Sequence, residues 1–361
     1  MSAFGPEIGV IHQVASQLKP GDPKGAYAVP WYMVLGAERS GKTSVIRAMN
    51  LTWKGENPLR TNVAQQLAEY WIAEEAIFLE PGPSVVGPRR IADQLPSLCA
   101  ELLRRRPREP LDGVILVLSA ADFSDLDEQK LETFAHDQRQ LLVDVCREVG
   151  SDIPVYIVLN RYDTLWGFAE AFAWSAERSR EEPWGFRVPP ATPSQLAQAA
   201  LFEGLEGLAA RIEAQCLWRL SGEEQVETRI KAFQHLVEGR EMLGKLKEVL
   251  KVLAITNAYE KAPWVRALIA GCAVPGMGDR IRAAMERFTN MGLMQAPYDP
   301  ARSTRPGGLP IFGFVRDVVV PERDLVPLRT RWRDDKLTVA AICVGIVFAL
   351  FGAIAPFLAP P

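Results

Sequence analysis

The stretch GAERSGKT at residues 36–43 constrains the fold of this chain more than any other feature. It fits the pattern G-x-x-x-x-G-K-[ST], follows the apolar run WYMVLG, and precedes a segment with helical pattern at residues 44–51. In such a loop the glycines let backbone N–H groups surround phosphate oxygens, the lysine reaches the β- and γ-phosphates, and the threonine hydroxyl binds Mg²⁺. We therefore expect a site for GTP or ATP with Mg²⁺. Its candidate residues in this stretch are Gly36, Ser40, Gly41, Lys42, Thr43 and Ser44.

Further short apolar runs predict a sheet around this loop. They are AIFLE at residues 76–80, GVILVLS at 113–119 and PVYIVLN at 154–160, with helical patterns at 125–149 and 165–174. Strands that alternate with helices indicate a mostly parallel sheet with crossover connections. We predict that a leader, residues 1–28, is followed by an α/β P-loop NTPase-like domain at residues 29–190.

The pattern changes after the proline-rich stretch at residues 181–194. Residues 195–253 have an almost wholly helical pattern, and we assign residues 191–328 to an α-helical extension domain. Within it, Val226, Ile230, Phe233 and Val237 recur at spacings of four, three and four residues. Because an apolar stripe on a helix usually faces the core, we expect this one to pack against the rest of the protein.

Two residues bear on whether a bound nucleotide is hydrolysed. Glu80 ends the second predicted strand, where P-loop hydrolases place an aspartate that holds Mg²⁺. Glu80 and Thr43 are therefore candidate Mg²⁺ ligands, and Glu80 and the switch-like Thr61 are candidate catalytic residues, although both also suit purely structural roles. Pro81-Gly82 is one residue short of a D-x-x-G turn, and no glutamine or histidine stands just after it to orient water. An NTPase activity is therefore possible, but hydrolysis is doubtful.

The stretch Asn160-Arg161-Tyr162-Asp163 follows an apolar run, where GTPases carry [NT]-K-x-D. In that arrangement the aspartate accepts hydrogen bonds from guanine, and the asparagine contacts the base and neighbouring loops. Asn160 and Asp163 are therefore candidate base-binding residues. Arg161 replaces the lysine, and its planar guanidinium can stack on a base. The sequence leaves the choice between GTP and ATP open.

Composition and the far end of the chain indicate where the protein works. With a net charge of −3, the chain is not expected to have nucleic acid as its main partner. Residues 337–358 contain no charged residue and are long enough to form a single membrane-spanning helix. Arginines and a lysine precede this segment, which favours a cytoplasmic location for residues 1–336 and a C-terminus across the membrane.

Several stretches together resemble one family. PWYMVLGAERSGKTS, RRPREPLDGVILVLSAADF, IPVYIVLNRYDTLWGFAEAF and LPIFGFVRDVVVPERDLV occur in the order found in the cytoplasmic region of TssM/IcmF, the large inner-membrane subunit of bacterial type VI secretion systems. The resemblance covers roughly residues 29–336. It implies a P-loop NTPase-like domain, a helical extension and a membrane helix, with Gly36, Gly41, Lys42 and Thr43 at the phosphates and Asn160 and Asp163 at the base.

The resemblance also implies a scaffold role in the bacterial inner membrane. Implied partners are a TssL/DotU-like membrane subunit, an outer-membrane lipoprotein, baseplate proteins and further copies of the chain itself. The sequence departs from the family where E-P-G-P at residues 80–83 replaces D-T-A-G-R-Y. We also expect this chain to lack the family's N-terminal membrane helices and its large periplasmic region.

Three functions are compatible with these features. The first is a membrane-anchored assembly subunit of a secretion-like system that binds nucleotide and hydrolyses it slowly or not at all. The second is an active tail-anchored GTPase switch. The third is an interaction platform that binds no nucleotide.

Overall fold

A computed structural model describes residues 27–49, 51–55, 58–59, 67–86, 93–172, 184–189, 194–256, 261–271 and 312–326 of the chain. Its strands are β1 (Trp31–Gly36), β2 (Ala68–Ile72), β3 (Ile77–Pro81), β4 (Gly113–Ser119), β5 (Pro154–Asn160), β6 (Gly185–Arg187) and β7 (Trp264–Ala270). Its helices are α1 (Lys42–Ala48), α2 (Pro83–Val86), α3 (Gln94–Arg105), α4 (Ala120–Ser124), α5 (Glu128–Val149), α6 (Phe168–Phe172), α7 (Ser194–Gly222) and α8 (Val226–Leu253). A last helical segment spans residues 312–325 and changes pitch along its length.

The described strands form one mixed sheet in the order β2-β3-β1-β4-β5-β7-β6. β3, β1, β4, β5 and β7 are parallel, whereas β2 and β6 run antiparallel to their neighbours at the two edges. The predicted mostly parallel α/β architecture is therefore confirmed. β4 and β5 coincide with the predicted apolar runs, and every residue in both strands is buried, as expected for strands that are covered on both faces.

The sequence reasoning missed three strands. β2 and β6 pair at the edges of the sheet, and β7 lies between β5 and β6. β7 belongs to the region that we assigned to a helical extension. One hydrophobic core also contains side chains from β4, β5, β7, α7 and α8, so packing is continuous across residue 190.

The two faces of the sheet are covered differently. One face packs against α3, α5, α7 and α8 in the larger core. The other packs against α1 and the segment at residues 312–325, through Val45, Ile46, Phe314, Val315 and Val319. Because α1 follows β1 directly and lies on this second face, the loop between them is held at the carboxyl edge of the sheet.

The expectation for the apolar stripe of α8 is wrong. Val226, Ile230, Phe233 and Val237 are 67%, 60%, 55% and 51% exposed. The side of α8 that contacts the core instead carries residues such as Leu236, Leu243, Leu246 and Leu250. The first turns of α8 are therefore apolar on two sides, and a sequence pattern alone does not say which of the two sides faces the core.

Within the described residues, no helix combines the length and the apolar character that are needed to span a membrane. The predicted membrane helix at residues 337–358 lies outside them.

A buried ion cluster fixes the segment at residues 312–325 to the sheet. The Glu322 carboxylate lies 3.0 Å from Arg266 Nη2 and 2.9 Å from Arg187 Nη2, and it accepts a hydrogen bond of 3.0 Å from the Tyr156 hydroxyl. Arg266 and Glu322 are almost completely inaccessible to solvent. The Tyr32 hydroxyl adds a hydrogen bond of 2.8 Å to the Val319 carbonyl.

Glu322→Ala should lower the free energy of unfolding by about 3–5 kcal/mol, because it leaves the Arg266 guanidinium buried without its carboxylate. Glu227→Ala, which breaks the partly exposed ion pair to Lys231, is the matched control and should cost at most about 1 kcal/mol. Urea unfolding followed by circular dichroism measures both. Equal losses in the two variants would contradict the role given to this cluster.

Candidate functional site

A cleft of about 460 Å³ opens at the carboxyl edge of the sheet. After β1, the chain forms β2 and β3 on one side of that strand and then the remaining strands on its other side. The cleft lies at this change of direction. In open α/β sheets such a switch in strand order leaves a crevice in which ligands bind. The charged side chains that line the cleft are Glu38, Arg39, Lys42, Glu69 and Glu80.

Two glycines of the loop at residues 36–43 have conformations and surroundings that require glycine. Gly36 and Gly41 have φ angles of +148° and +90°, which residues with a side chain rarely adopt. A Cβ atom would collide with the Val117 carbonyl oxygen at Gly36 and with the Asn160 side-chain amide at Gly41. The glycine positions of the motif are thus explained by close backbone packing on β4 and β5.

Lys42 folds back over this loop. Its Nζ lies 3.3 Å from the Gly36 carbonyl oxygen and 3.1 Å from the Ala37 carbonyl oxygen. Burial lowers the pKa of Lys42, and the nearby Glu80 and Glu38 carboxylates oppose that shift. An ammonium group held in this way is placed at the cleft, and phosphate oxygens would be stronger acceptors for it than backbone carbonyls.

Thr43 and Glu80 are in direct contact across the cleft. The Thr43 hydroxyl donates to the Glu80 carboxylate, with 3.0 Å to each of its oxygens. Burial raises the pKa of Glu80, while the hydrogen bond from Thr43 and the charge of Lys42 act in the opposite direction. A hydroxyl that donates its hydrogen keeps its lone pairs, so Thr43 remains able to coordinate a cation beside Glu80.

The backbone after Glu80 is engaged elsewhere. Pro81 has no N–H group, and the Gly82 N–H donates to the Leu67 carbonyl oxygen at 2.9 Å. Neither residue therefore offers a free amide to a ligand in the cleft.

Asn160 joins the end of β5 to the loop at residues 36–43. Its side-chain Nδ2 donates to the Ser40 carbonyl oxygen at 3.0 Å, and both residues are buried. The register of the sheet aligns Asn160 with Ser119 of β4. The two predicted motifs, 120 residues apart in sequence, are therefore neighbours in the structure.

The residues after Asn160 form a tight turn. Arg161 is exposed with a φ angle of +58°, and residues Tyr162–Thr164 make a 3₁₀ turn that contains the half-buried Asp163. Tyr162 points into the protein and packs edge-on against His235 of α8 and against Phe168. The turn that carries Asp163 is thereby fixed to helix α8.

Most of the predicted site residues gather at this edge of the sheet. Gly36, Lys42, Thr43 and Glu80 line the cleft. Ser40 and Gly41 lie in the loop after β1, Asn160 ends β5, and Asp163 lies in the turn that follows β5. Ser44 lies in the first turn of α1 and is not a lining residue. Thr61 lies outside the described residues.

The sequence reasoning missed three charged residues of the cleft. Glu38 and Arg39 occupy variable positions of the glycine motif, and their place in the loop was a signal that they border the ligand space. Glu69 stands directly opposite Glu80 on β2. Only the antiparallel pairing of β2 with β3 brings Glu69 there.

Comparison with known proteins identifies the family of this chain. The sequence model of the IcmF-related N-terminal domain matches residues 89–347, which is more than half of the chain. The chain belongs to this TssM/IcmF family. The matched region includes Asn160 and Asp163 and begins after Glu80. The type VI secretion system component TssM1 of Pseudomonas aeruginosa is 26% identical over 330 residues, which cover 86% of this chain and 29% of TssM1. The IcmF-related chain thus spans less than a third of that relative's length.

Two solved structures share less sequence identity with this chain than TssM1 does. A point variant of SsGBP is 17% identical, with 50% of this chain and 54% of that chain covered and a TM-score of 0.24. The GDP complex of the small GTPase SAR1 from Encephalitozoon cuniculi is 11% identical, with 68% and 85% covered and a TM-score of 0.25.

Burial of His235 beside Tyr162 makes the stability of the chain depend on pH. His235 is completely buried, its Nδ1 lies 3.2 Å from the Trp166 carbonyl oxygen, and burial lowers its pKa to about 4. An unfolded histidine has a pKa of about 6.5, so the unfolded state binds the proton first as the pH falls. The contribution of His235 is complete above pH ~6.5 and is lost as the pH falls toward 4.

The free energy of unfolding of the wild type should fall between pH 7.5 and pH 5.0. We expect this fall to be about 2 kcal/mol smaller in His235→Gln. Urea unfolding of the wild type and the variant at both pH values measures the difference. His136→Gln, at an exposed position of α5, is the matched control for the loss of one histidine. The same pH dependence in wild type and His235→Gln would show that His235 is not the group responsible.

Proposed function

We propose that this chain is a membrane-anchored subunit of a type VI secretion-like assembly whose cleft binds a nucleoside triphosphate with Mg²⁺. In this proposal, nucleotide binding serves assembly, and hydrolysis is slow or absent. Membership of the family and the similarity to TssM1 support the secretion part. The observation that carries the nucleotide part is the complete motif at residues 36–43, which lines a cleft at the carboxyl edge of the sheet with Lys42 and Thr43 inside it.

The residues of the cleft fit a phosphate group and a divalent cation. Gly36 and Gly41 let the loop pack closely against β4 and β5, and phosphate oxygens would approach its backbone from the cleft. Lys42 supplies a positive charge, and the hydroxyl of Thr43, next to the Glu80 carboxylate, supplies the oxygen ligands that Mg²⁺ prefers. A bound Mg²⁺ would neutralise phosphate charge. The chain's own residues would hold and orient the phosphates.

The base would lie beside the turn at residues 160–164. Asn160 already bonds to Ser40, so this turn and the phosphate loop keep a fixed distance. Asp163 would accept hydrogen bonds from guanine, and the exposed Arg161 would stack on the ring. The proposal therefore favours GTP over ATP.

Slow hydrolysis would follow from the two residues after Glu80, Pro81 and Gly82. Pro81 lacks an N–H group, and the Gly82 N–H is bonded to Leu67, so neither can respond to a γ-phosphate. The sequence from Pro81 to Asp93 contains no glutamine or histidine that could orient a water molecule. Nucleotide would then act as a structural ligand that stabilises the folded chain for as long as it stays bound.

The remaining parts of the function extend the resemblance to the family. Residues 337–358 would anchor the chain in the bacterial inner membrane, with residues 1–336 in the cytoplasm. A TssL/DotU-like membrane subunit and baseplate proteins would be its partners. In this proposal, residues 29–190 bind the nucleotide and residues 191–328 form a mostly helical half. The two halves share one hydrophobic core.

Titration of the detergent-solubilised full chain with fluorescent GTP and ATP analogues, with and without Mg²⁺, tests the proposal. We expect saturable, Mg²⁺-dependent binding with GTP preferred. Lys42→Ala should weaken it about 10–100-fold, because a charge-assisted hydrogen bond contributes about 1.5–3 kcal/mol. Lys54→Ala, which removes an exposed lysine outside the cleft, is the matched control and should bind as the wild type does.

Phosphate release measured on the same samples separates the proposal from its alternatives. Turnover at a rate typical of enzymes, lost in Lys42→Ala, would favour the active GTPase switch, which the position of Asn160 and Asp163 also suits. Failure of a folded full chain to bind either nucleotide would overturn the nucleotide part and leave the interaction platform.

A further inference from the structure

Arg39 lines the cleft without a partner in the part of the chain that the structure describes. It is the fourth residue of the loop at residues 36–43 and is exposed. Within the described residues, neither an ion pair nor a hydrogen bond engages its guanidinium group. A guanidinium group has five N–H donors and a permanent positive charge. Both remain available to a ligand in the cleft.

The backbone at Arg39 has a shape that favours glycine. The Ser40 N–H donates to the Ala37 carbonyl oxygen at 3.2 Å, so residues 37–40 form a β-turn. Arg39 is the third residue of this turn and has a φ angle of +64°. Turns with a positive φ angle at that position usually carry glycine or asparagine there, because most side chains are strained in it.

An arginine in this turn therefore lowers the stability of the fold, and no contact among the described residues offsets the loss. Strained residues of this kind cluster at ligand-binding and active sites, where a particular side chain is needed in spite of its cost. The position of Arg39 in a strained turn and its place at the cleft thus point in the same direction.

The second cation that lines the cleft is already engaged. Lys42 Nζ lies 3.3 Å from the Gly36 carbonyl oxygen and 3.1 Å from the Ala37 carbonyl oxygen. The Glu80 and Glu38 carboxylates are close enough to act on the pKa of Lys42, which they raise against the effect of burial. Much of the charge of Lys42 is therefore balanced inside the loop.

The end of β3 offers no donor in place of Lys42. Pro81 has no N–H group, and the Gly82 N–H is bonded to the Leu67 carbonyl oxygen. Among the described residues that line the cleft, Arg39 is thus the one cation without a partner.

The carboxylates of the cleft make this one cation important for the length of the phosphate chain. Three carboxylates line the cleft against two cations, and they are Glu38, Glu69 and Glu80. A triphosphate carries one more charged group than a diphosphate, so a cleft with this balance would repel it unless a cation meets the added group. The planar fork of an arginine binds two phosphate oxygens at once and suits this task.

We propose that Arg39 binds the terminal phosphate and thereby makes the cleft prefer a nucleoside triphosphate to a diphosphate. This inference rests on the proposed nucleotide function and assigns the residue that distinguishes its two forms. Arg39 acts here by binding and takes part in no bond-making step. The chain would distinguish the two nucleotides without hydrolysing either.

Titration of the detergent-solubilised full chain with fluorescent GDP and with a fluorescent β,γ-imido analogue of GTP, both with Mg²⁺, tests the inference. Arg39→Gly should weaken binding of the triphosphate analogue about 10-fold, because it removes a charge-assisted hydrogen bond. Binding of GDP should change less than about 2-fold, since GDP lacks the group that Arg39 contacts.

The melting temperature without nucleotide distinguishes this role from a structural one. Glycine relieves the strain of the positive φ angle, so Arg39→Gly should melt at or above the temperature of the wild type. A lower melting temperature with equal weakening of both nucleotides would show that Arg39 supports the loop and does not read the phosphate.

Two further variants complete the comparison. Arg39→Lys keeps the positive charge and should retain part of the preference for the triphosphate. Arg161→Ala is the matched control, because Arg161 is the other exposed arginine with a positive φ angle and lies beside the proposed base. It should weaken binding of the two nucleotides by the same factor.

Competition by inorganic phosphate chains isolates the phosphate contribution from that of the base. Tripolyphosphate should displace fluorescent GDP from the wild type at lower concentrations than pyrophosphate does, and Arg39→Gly should reduce this difference. An affinity ratio of triphosphate to diphosphate that Arg39→Gly leaves unchanged would overturn the inference and leave the nucleotide site in place. A folded wild-type chain that binds neither nucleotide would instead overturn the proposed function, and this inference with it.

Discussion

The hydrogen bond from the Asn160 amide to the Ser40 carbonyl oxygen is the contact on which the geometry of the site depends. It exists because β1, β4 and β5 are adjacent and parallel, so their carboxyl ends reach the same edge of the sheet. Gly41 permits it, since any side chain there would displace the Asn160 amide. The loop that would hold phosphates and the turn that would hold a base are thereby fixed relative to each other. A site arranged before its ligand arrives loses less conformational freedom on binding.

The same turn is also connected to the helical hairpin. Tyr162 packs against His235, and the Trp166 N–H donates to the Glu238 carboxylate at 3.0 Å. Gly167 has a φ angle of +72° and lies so close to the Lys231 carbonyl that a side chain would not fit. The turn at residues 160–167 and the first half of α8 therefore form one packed unit. A ligand that stabilises the turn would also stabilise the first half of α8.

Sequence patterns predicted the parts of this structure that are governed by local chemistry. The glycine motif and the continuous apolar runs of β4 and β5 predicted the buried sheet and the loop at its edge, because only a few conformations satisfy them. β7 was missed because its position between β5 and β6 depends on pairing with distant segments, and Glu69 entered the cleft for the same reason. The stripe at Val226 and Phe233 was assigned to the core, since helical spacing reveals an apolar side without saying what covers it.

The central claim is that the loop at residues 36–43 and the turn at residues 160–164 form one nucleotide site. Hydrogen–deuterium exchange of the full chain, with and without Mg²⁺ and GTP, tests this claim most directly because it reports on each segment separately. We expect slower exchange in both segments at once, with no change in α5. Unchanged exchange at saturating nucleotide, or protection confined to segments away from the cleft, would contradict it.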